Sequence, residues 1–402
     1  MSRNIIKRIF KGDTVTWILF AVLCAISLVE VFSAASRLTI RYSLWGPLIG
    51  HAKFLLLSIF AAWAVHNFPM EWFKKAAPYA YALFTALLIY GTIFGEAKGD
   101  ATRWISIAGY SIQPSEFARL GLLLIISQFI ANWQEGKETA FNTLKKIVLV
   151  TLGVSIPIVI TNLSTALIIL SAVYMMLVLA KLPRKLMAKF TLVCIALAIA
   201  GATTIMVIPA EKVRGTPFKR IETWQNRISK YMPFGEKQEE KKVDDGKDDQ
   251  RKYANIAIAS SGIIFGKGPG NSEEREYLPE AYSDLIYAII IEEWGLIIGC
   301  VGLLILYLTL LFHTGQIAKN CDDPFAAYLI MGAALLIGIQ AMIHMSISTG
   351  LFPISGQPLP LISRGGSSLV VNSVYIGMIL SVSRYAGKLK AEKEKRNYTP
   401  AE

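Results

Sequence analysis

The chain has 402 residues, 53% of them hydrophobic, a formal charge of +12 and a mean hydropathy of +0.46. That is too apolar for a soluble protein of this length, and long uncharged runs recur from end to end, as in a polytopic helical membrane protein. The charge does not point to nucleic acid, because the basic residues gather at both ends and in alternate loops, the topological bias of membrane proteins.

A basic arm, Met1–Asp13, carries Arg3, Lys7, Arg8 and Lys11. The apolar run after it is long enough to span, and no small-residue cleavage site clearly follows, so no cleavable signal peptide is expected. The hydropathy pattern predicts ten membrane helices near Thr14–Ser33, Leu48–Phe68, Ala77–Phe94, Phe117–Asn132, Ile147–Thr161, Thr165–Ala180, Ala188–Ile208, Asp284–Phe312, Phe325–Ser348 and Gly366–Ala386. The expected fold is therefore an all-α polytopic membrane domain over residues 1–402. Lys74-Lys75, Lys137, Lys145-Lys146, Lys181, Arg184-Lys185 and the tail Lys388–Arg396 fall on one side with the arm. The positive-inside rule makes that side cytoplasmic, with both termini inside and residues 387–402 a basic tail.

The opposite face gathers the polar, Gly- and Pro-rich segments. They are Gly95–Glu116, the turn Asn162-Leu163-Ser164, the long loop Pro209–Ser283 between helices seven and eight, and Thr349–Gly365. Within the long loop, Lys237–Lys252 is charged, of mixed sign and nearly free of apolar residues, so a solvated mobile insert is expected. Phe218–Tyr231 has helical apolar spacing that suits either a membrane surface or the protein itself. The four cysteines, Cys24, Cys194, Cys300 and Cys321, show no metal-type spacing and are expected to be free thiols.

Charge at the border or depth of a membrane is costly and usually has a job. Asp284 is expected to open the eighth helix after Ser283; it is either a first-turn acid on the helix dipole or a general base at the lipid border. Glu292 and Glu293 follow roughly 12–14 Å further down the axis, which favours internal pairing with Arg, His or backbone groups. Glu116 and Arg119 form an i,i+3 pair at a helix start prepared by Pro114. Gly266–Ser272 looks like a phosphate cradle but lacks the ending of a P-loop, and Lys267 is its one cation. Ser367 or Ser368 suits an N-cap of the last helix. His344 reads better as a satisfied interior histidine than as a metal ligand.

Four motifs then carry a family resemblance. They are Arg103-Trp104-Ile105; Gln113-Pro114-Ser115-Glu116; Gly262–Ser272 leading into Tyr277–Asp284; and Gly356–Ser368. In this order and on one face, they resemble the SEDS proteins of bacterial growth and division, the RodA and FtsW types, over nearly the whole chain. The last motif is closer to the FtsW branch. Three positions depart from the pattern: Asn162 stands where the family carries an acid, His344 where Asn is common, and Arg364 where Tyr is frequent. Many members have Lys at the place of Arg119.

The resemblance implies a peptidoglycan glycosyltransferase that polymerises lipid II outside the cytoplasmic membrane at the division septum. It implies a class B penicillin-binding protein as cross-linking partner, among other divisome proteins. The family's catalytic aspartate maps onto Asp284, and its other catalytic pair onto Glu116 and Arg119. The motif residues Arg103, Trp104, Gln113, Lys267, Gln357, Ser363 and Arg364 are expected to meet the substrate. A divalent cation such as Mg2+ is expected to join Arg103, Arg119 and Lys267 in neutralising the diphosphate, with Glu116 either orienting Arg119 or helping to hold the metal, and no organic cofactor is expected. A lipid II flippase and a non-catalytic divisome scaffold are the rival readings.

Overall fold

The computed structural model describes residues 11–34, 45–98, 101–107, 110–208, 225, 247–278, 282–353 and 355–398. Helix α1, Thr14–Ala34, starts where the Asp13 carboxylate accepts from the Thr16 amide at 2.7 Å and from its hydroxyl at 2.9 Å. Helices α2, Trp45–Asn67, and α3, Met70–Phe94, follow. Three short strands come next, β1, Glu96–Lys98, β2, Ala101–Ile107, and β3, Tyr110–Ile112, in an antiparallel sheet of order β1-β2-β3. Then come α4, Pro114–Gln134, α5, Ala140–Thr161, α6, Leu163–Leu179, α7, Arg184–Val207, and α8, Lys247–Ala259. The chain closes with α9, Ile286–Trp294, a π-helical stretch Leu296–Gly302 running into α10, Leu303–Lys319, then α11, Pro324–Ser348, and α12, Ser367–Tyr398.

Nine of the described segments are long and apolar enough to cross a membrane, and α6 is a shorter apolar helix. Together these described helices number ten, as the hydropathy predicts, with the eighth starting later than expected. Helices α4, α11 and the membrane part of α12 form the most enclosed layer, with two thirds or more of their apolar windows buried. Asp13 donates its backbone amide to Ser383 Oγ at 2.9 Å, and His313 Nε2 lies 2.7 Å from Asp13 Oδ2. The starts of α1 and the later turns of α12 therefore share one end of the bundle. All four cysteines are free.

The structure corrects four expectations. The span expected from Asp284 to Phe312 is broken: Gly295, at φ +90° and ψ 169°, stops α9 and restarts the chain as a separate membrane helix from Leu296. Asp284 lies in the turn before α9 instead of its first helical turn. The stretch Gly95–Glu116 holds a small sheet ahead of Pro114, because β-branched and aromatic residues recur along Trp104–Ile107 and Tyr110–Ile112. Lastly, residues 247–252 of the expected mobile insert form the first turns of α8. Their helix seats Ala254 and Ala257 against Leu278, Leu285, Ala288 and Ile347. The rest of that insert, and all of Phe218–Tyr231 except Gln225, lie outside the described residues.

Candidate functional site

Thr349–Gly365, expected as a Gly- and Pro-rich loop of the outer face, returns into the protein. Gln357, Leu359, Leu361, Ile362 and Ser363 are all buried. Non-helical backbone at membrane depth is tolerated only where protein surrounds it and satisfies its polar groups, and this segment meets that condition. Tyr307 OH donates to Pro360 O, Ser27 Oγ donates to Ile362 O at 2.7 Å, and His51 Nε2 lies 2.9 Å from the same hydroxyl.

This segment grips the turn that carries Asp284. Ser363 Oγ accepts from the Leu359 amide at 2.8 Å and donates to Ser283 O at 2.8 Å. The Arg364 amide donates to Tyr282 O at 3.1 Å, and the Arg364 guanidinium lies 5.4 Å from the centre of the Tyr282 ring. Ser283 Oγ donates to Asp284 Oδ1 at 3.0 Å. Asp284 Oδ2 faces Gly356, where an added Cβ would come within 3.2 Å of it, and the φ of +63° there also favours glycine. Asp284 is only partly covered. The third and fourth motifs thus fold together around one partly covered acid, which suits a group that meets a hydroxyl from outside.

Glu116 and Arg119 sit deeper. Pro114 occupies the helix start and Glu116 the first turn of α4, as the sequence indicates, but both charged residues are 2% exposed. Arg119 Nη2 donates to Glu116 Oε2, and Arg119 Nη1 donates to Gln340 Oε1 at 2.8 Å. Gln340 Nε2 in turn donates to Pro358 O at 2.9 Å. The pair therefore reaches the Asp284 cradle through Gln340, a polar residue of α11 that the sequence reading passed over. Gln113 joins the same end: its amide donates to Ser367 Oγ at 3.2 Å. Ser367 is the first residue of α12, and its hydroxyl ties two motifs together.

Two of the three departures from the family pattern have a physical account. Asn162 caps α6, accepting from the amides of Ser164 at 3.1 Å and Thr165 at 3.4 Å, a task that needs only a side-chain oxygen. His344 Nδ1 donates to Gln357 O at 2.7 Å, and Gln357 Nε2 donates to Thr165 Oγ1 at 2.9 Å. An asparagine amide can supply the same donor. His344→Asn is therefore expected to leave the thermal midpoint in detergent nearly unchanged. His344→Ala, which strips a buried carbonyl of this donor, should cost about 1–3 kcal/mol in chemical unfolding.

The Gly-rich segment does not present its amides to a ligand. Lys267 N donates to Glu292 O at 3.0 Å and Gly268 N to Glu293 O at 2.8 Å, while Leu296 N donates to Gly262 O at 3.0 Å. The loop thus wraps the broken end of α9 and satisfies carbonyls that a continuous helix would have paired. Lys267 Nζ lies 2.9 Å from Glu292 Oε1 and 3.3 Å from Glu273 Oε2. The hydrogen bond to Glu292 holds its ammonium above the ordinary lysine pKa, so it stays charged. Glu293 accepts from Ser33 Oγ on α1, and Trp294 Nε1 donates to Glu30 Oε1 at 2.5 Å. The two acids pair internally as expected, with backbone amides among their partners; Lys267 and the serines are partners the sequence did not single out.

Trp104 lies in β2 opposite Glu96. Arg103 is its neighbour in the strand, and the Arg103 side chain falls outside the described residues. Glu116 does not fit the part of a metal ligand, because its buried carboxylate is already engaged by Arg119. Among the described residues, no three His, Cys, Asp or Glu side chains gather as a metal site.

The profile of the cell cycle protein family that comprises FtsW, RodA and SpoVE matches residues 13–388. The chain belongs to that family. It is 30% identical over 376 residues to the probable peptidoglycan glycosyltransferase FtsW of Halomonas elongata, covering 91% of this chain and 89% of that protein. It is 28% identical over 407 residues to the protein of the same name from Bacillus subtilis, covering 95% and 94%. The fold matches a chain of a peptidoglycan synthase complex that coordinates polymerization and crosslinking, with a TM-score of 0.71 at 23% identity over 93% of this chain and 98% of that one. It also matches the rod shape determining protein RodA of Thermus thermophilus, with a TM-score of 0.63 at 22% identity over 93% and 97%.

Proposed function

We propose that this protein is a peptidoglycan glycosyltransferase that polymerises lipid II at the outer face of the cytoplasmic membrane during septal wall synthesis. The observation that carries the reading is the partly covered Asp284, beside Gly356, Ser283 and Ser363 at the end of the bundle opposite Asp13 and Ser383. In this reading the arms, loops and tail rich in Lys and Arg lie in the cytoplasm, which puts the Asp284 end outside. The full-length matches to proteins named peptidoglycan glycosyltransferase support it.

The reaction joins the 4-hydroxyl of one disaccharide to the anomeric carbon of another and expels undecaprenyl diphosphate. Asp284 takes the proton of the acceptor hydroxyl as the new bond forms. Arg364, next to the cradle and seated over Tyr282, supplies positive charge to the departing diphosphate in this reading. Trp104, Gln113 and Arg103 are the further motif residues proposed to meet the substrate. Lys267 and the Glu116–Arg119 pair act behind the cradle, because each is committed to a partner within the protein. A class B penicillin-binding protein is the proposed partner, in keeping with the likeness to a complex that couples polymerization to crosslinking.

The test is glycan strand formation from lipid II supplied in detergent to the purified protein with its transpeptidase partner. No transport step is needed there, so a flippase gives no strands and a scaffold adds none beyond the partner alone. Strand formation that depends on this chain is the expected result.

A further inference from the structure

Helix α9 carries Asp284 just ahead of its first residue, yet Gly295 cuts it from α10, so the long membrane helix does not set its direction. Two different devices hold its ends. The N-terminal end is gripped by residues 356–364. The C-terminal end is gripped through Glu292. That carboxylate is fully buried and receives Lys267 Nζ at 2.9 Å, Ser272 Oγ at 2.5 Å and the Glu273 amide at 3.1 Å. The backbone carbonyls of Glu292 and Glu293 receive the amides of Lys267 and Gly268. Five donors from one short loop thus converge on the last turn of α9.

We infer that Glu292 is a positioning residue for the proposed reaction: by drawing the loop 266–273 onto the end of α9, it sets where Asp284 stands. The inference rests on the reading of Asp284 as the base. Glu292 cannot be a substrate contact, since it is enclosed, its oxygens are engaged, and a negative charge repels a diphosphate. Its leverage comes from length. Eight residues separate Glu292 from Asp284, roughly 12 Å along the axis, so a tilt of about 10° at the loop end moves Asp284 by roughly 2 Å. A misplacement of about 1 Å at a reacting group costs on the order of 10²-fold in rate.

The experiment compares wild type with Glu292→Gln in the full-length protein bound to its transpeptidase partner. Glu292→Gln keeps the shape and one acceptor oxygen but loses the charge that holds Lys267. Strand formation is measured across lipid II concentrations, and amide hydrogen exchange is followed in residues 262–276 and 286–294. The expected result is a kcat lower by about 10- to 100-fold, on the scale of such misplacements. KM should stay within about twofold, because the proposed substrate contacts are untouched. Exchange should quicken at Lys267, Gly268 and along α9, with α11 unchanged. Wild-type rates overturn the inference, and so does a raised KM at unchanged kcat, or lost activity with unchanged exchange. Where Glu292→Gln fails to give a monodisperse protein, Lys267→Met carries the same expectations and the same overturning results. A wild type that makes no strands sinks the reading of Asp284, while the exchange measurement still decides whether Glu292 holds α9.

Discussion

Asp284→Asn yields a protein that folds, assembles with its partner and forms no glycan strands. The amide is almost the size of the carboxylate, and its oxygen can still accept from Ser283, so the cradle of Ser283, Ser363 and Gly356 keeps its shape. What disappears is the basic lone pair. Positioned general bases contribute about 10²–10⁴-fold, so polymerisation should fall by at least that range and drop below detection on a strand-length gel. Asp284→Glu is expected to be nearly as damaging. It keeps the charge but adds a methylene in a space where Gly356 already comes close. The check is strand formation alongside co-purification of the partner and the thermal midpoint. Normal strands from the asparagine variant would remove Asp284 from the chemistry.

The sequence made the frame of this site readable, because its cues are local. Pro114 does open α4 with Glu116 in the first turn, and Asn162 does lie in the tight turn between α5 and α6. The apolar periods of the ten spans depend only on neighbours a few residues apart. The break at Gly295 was not readable from hydropathy, since apolar runs lie on both sides and averaging is blind to a positive φ. A signal was present nonetheless: two acids followed by Trp and Gly at membrane depth, and a Gly-rich loop whose amides needed acceptors. The return of residues 355–364 into the bundle was hidden by its Gly and Pro content, which reads as a surface loop. Leu359, Leu361 and Ile362 were the contrary hint, being too apolar for water. Gln340 was missed as one polar side chain on an apolar helix, and its partners Arg119 and Pro358 come from separate parts of the chain. Contacts such as Trp294 to Glu30, 264 residues apart, have no local trace at all.

The Glu116–Arg119 pair gives the largest expected effect on stability, and it separates structure from chemistry. Both side chains are enclosed, Arg119 among apolar residues of α4, α6 and α11 as well as Gln340, so each charge depends on the other. Arg119→Met leaves a buried carboxylate with no counter-charge beside it, and Glu116→Gln leaves a buried guanidinium in the same state. Breaking a buried pair from one side costs about 3–5 kcal/mol, so either single variant should unfold at markedly lower denaturant or temperature. Replacing both together removes both charges, and buried pairs exchanged for neutral groups of similar size are often neutral in stability. The double variant Glu116→Gln with Arg119→Met should therefore regain most of the loss, a coupling that a double-mutant cycle in detergent would read directly. Activity should not return with it. Without Arg119, Gln340 Oε1 loses its donor, and the bond from Gln340 to Pro358 O that steadies the backbone two residues from Gly356 is left free to shift. Arg119→Lys should be the mildest change, because it keeps a cation beside Glu116 but lacks the fixed fork that reaches Glu116 and Gln340 at once. Additive losses in the double variant would show that the two charges do not support each other. A double variant with full stability and full polymerisation would show that the link through Gln340 has no bearing on where Asp284 stands.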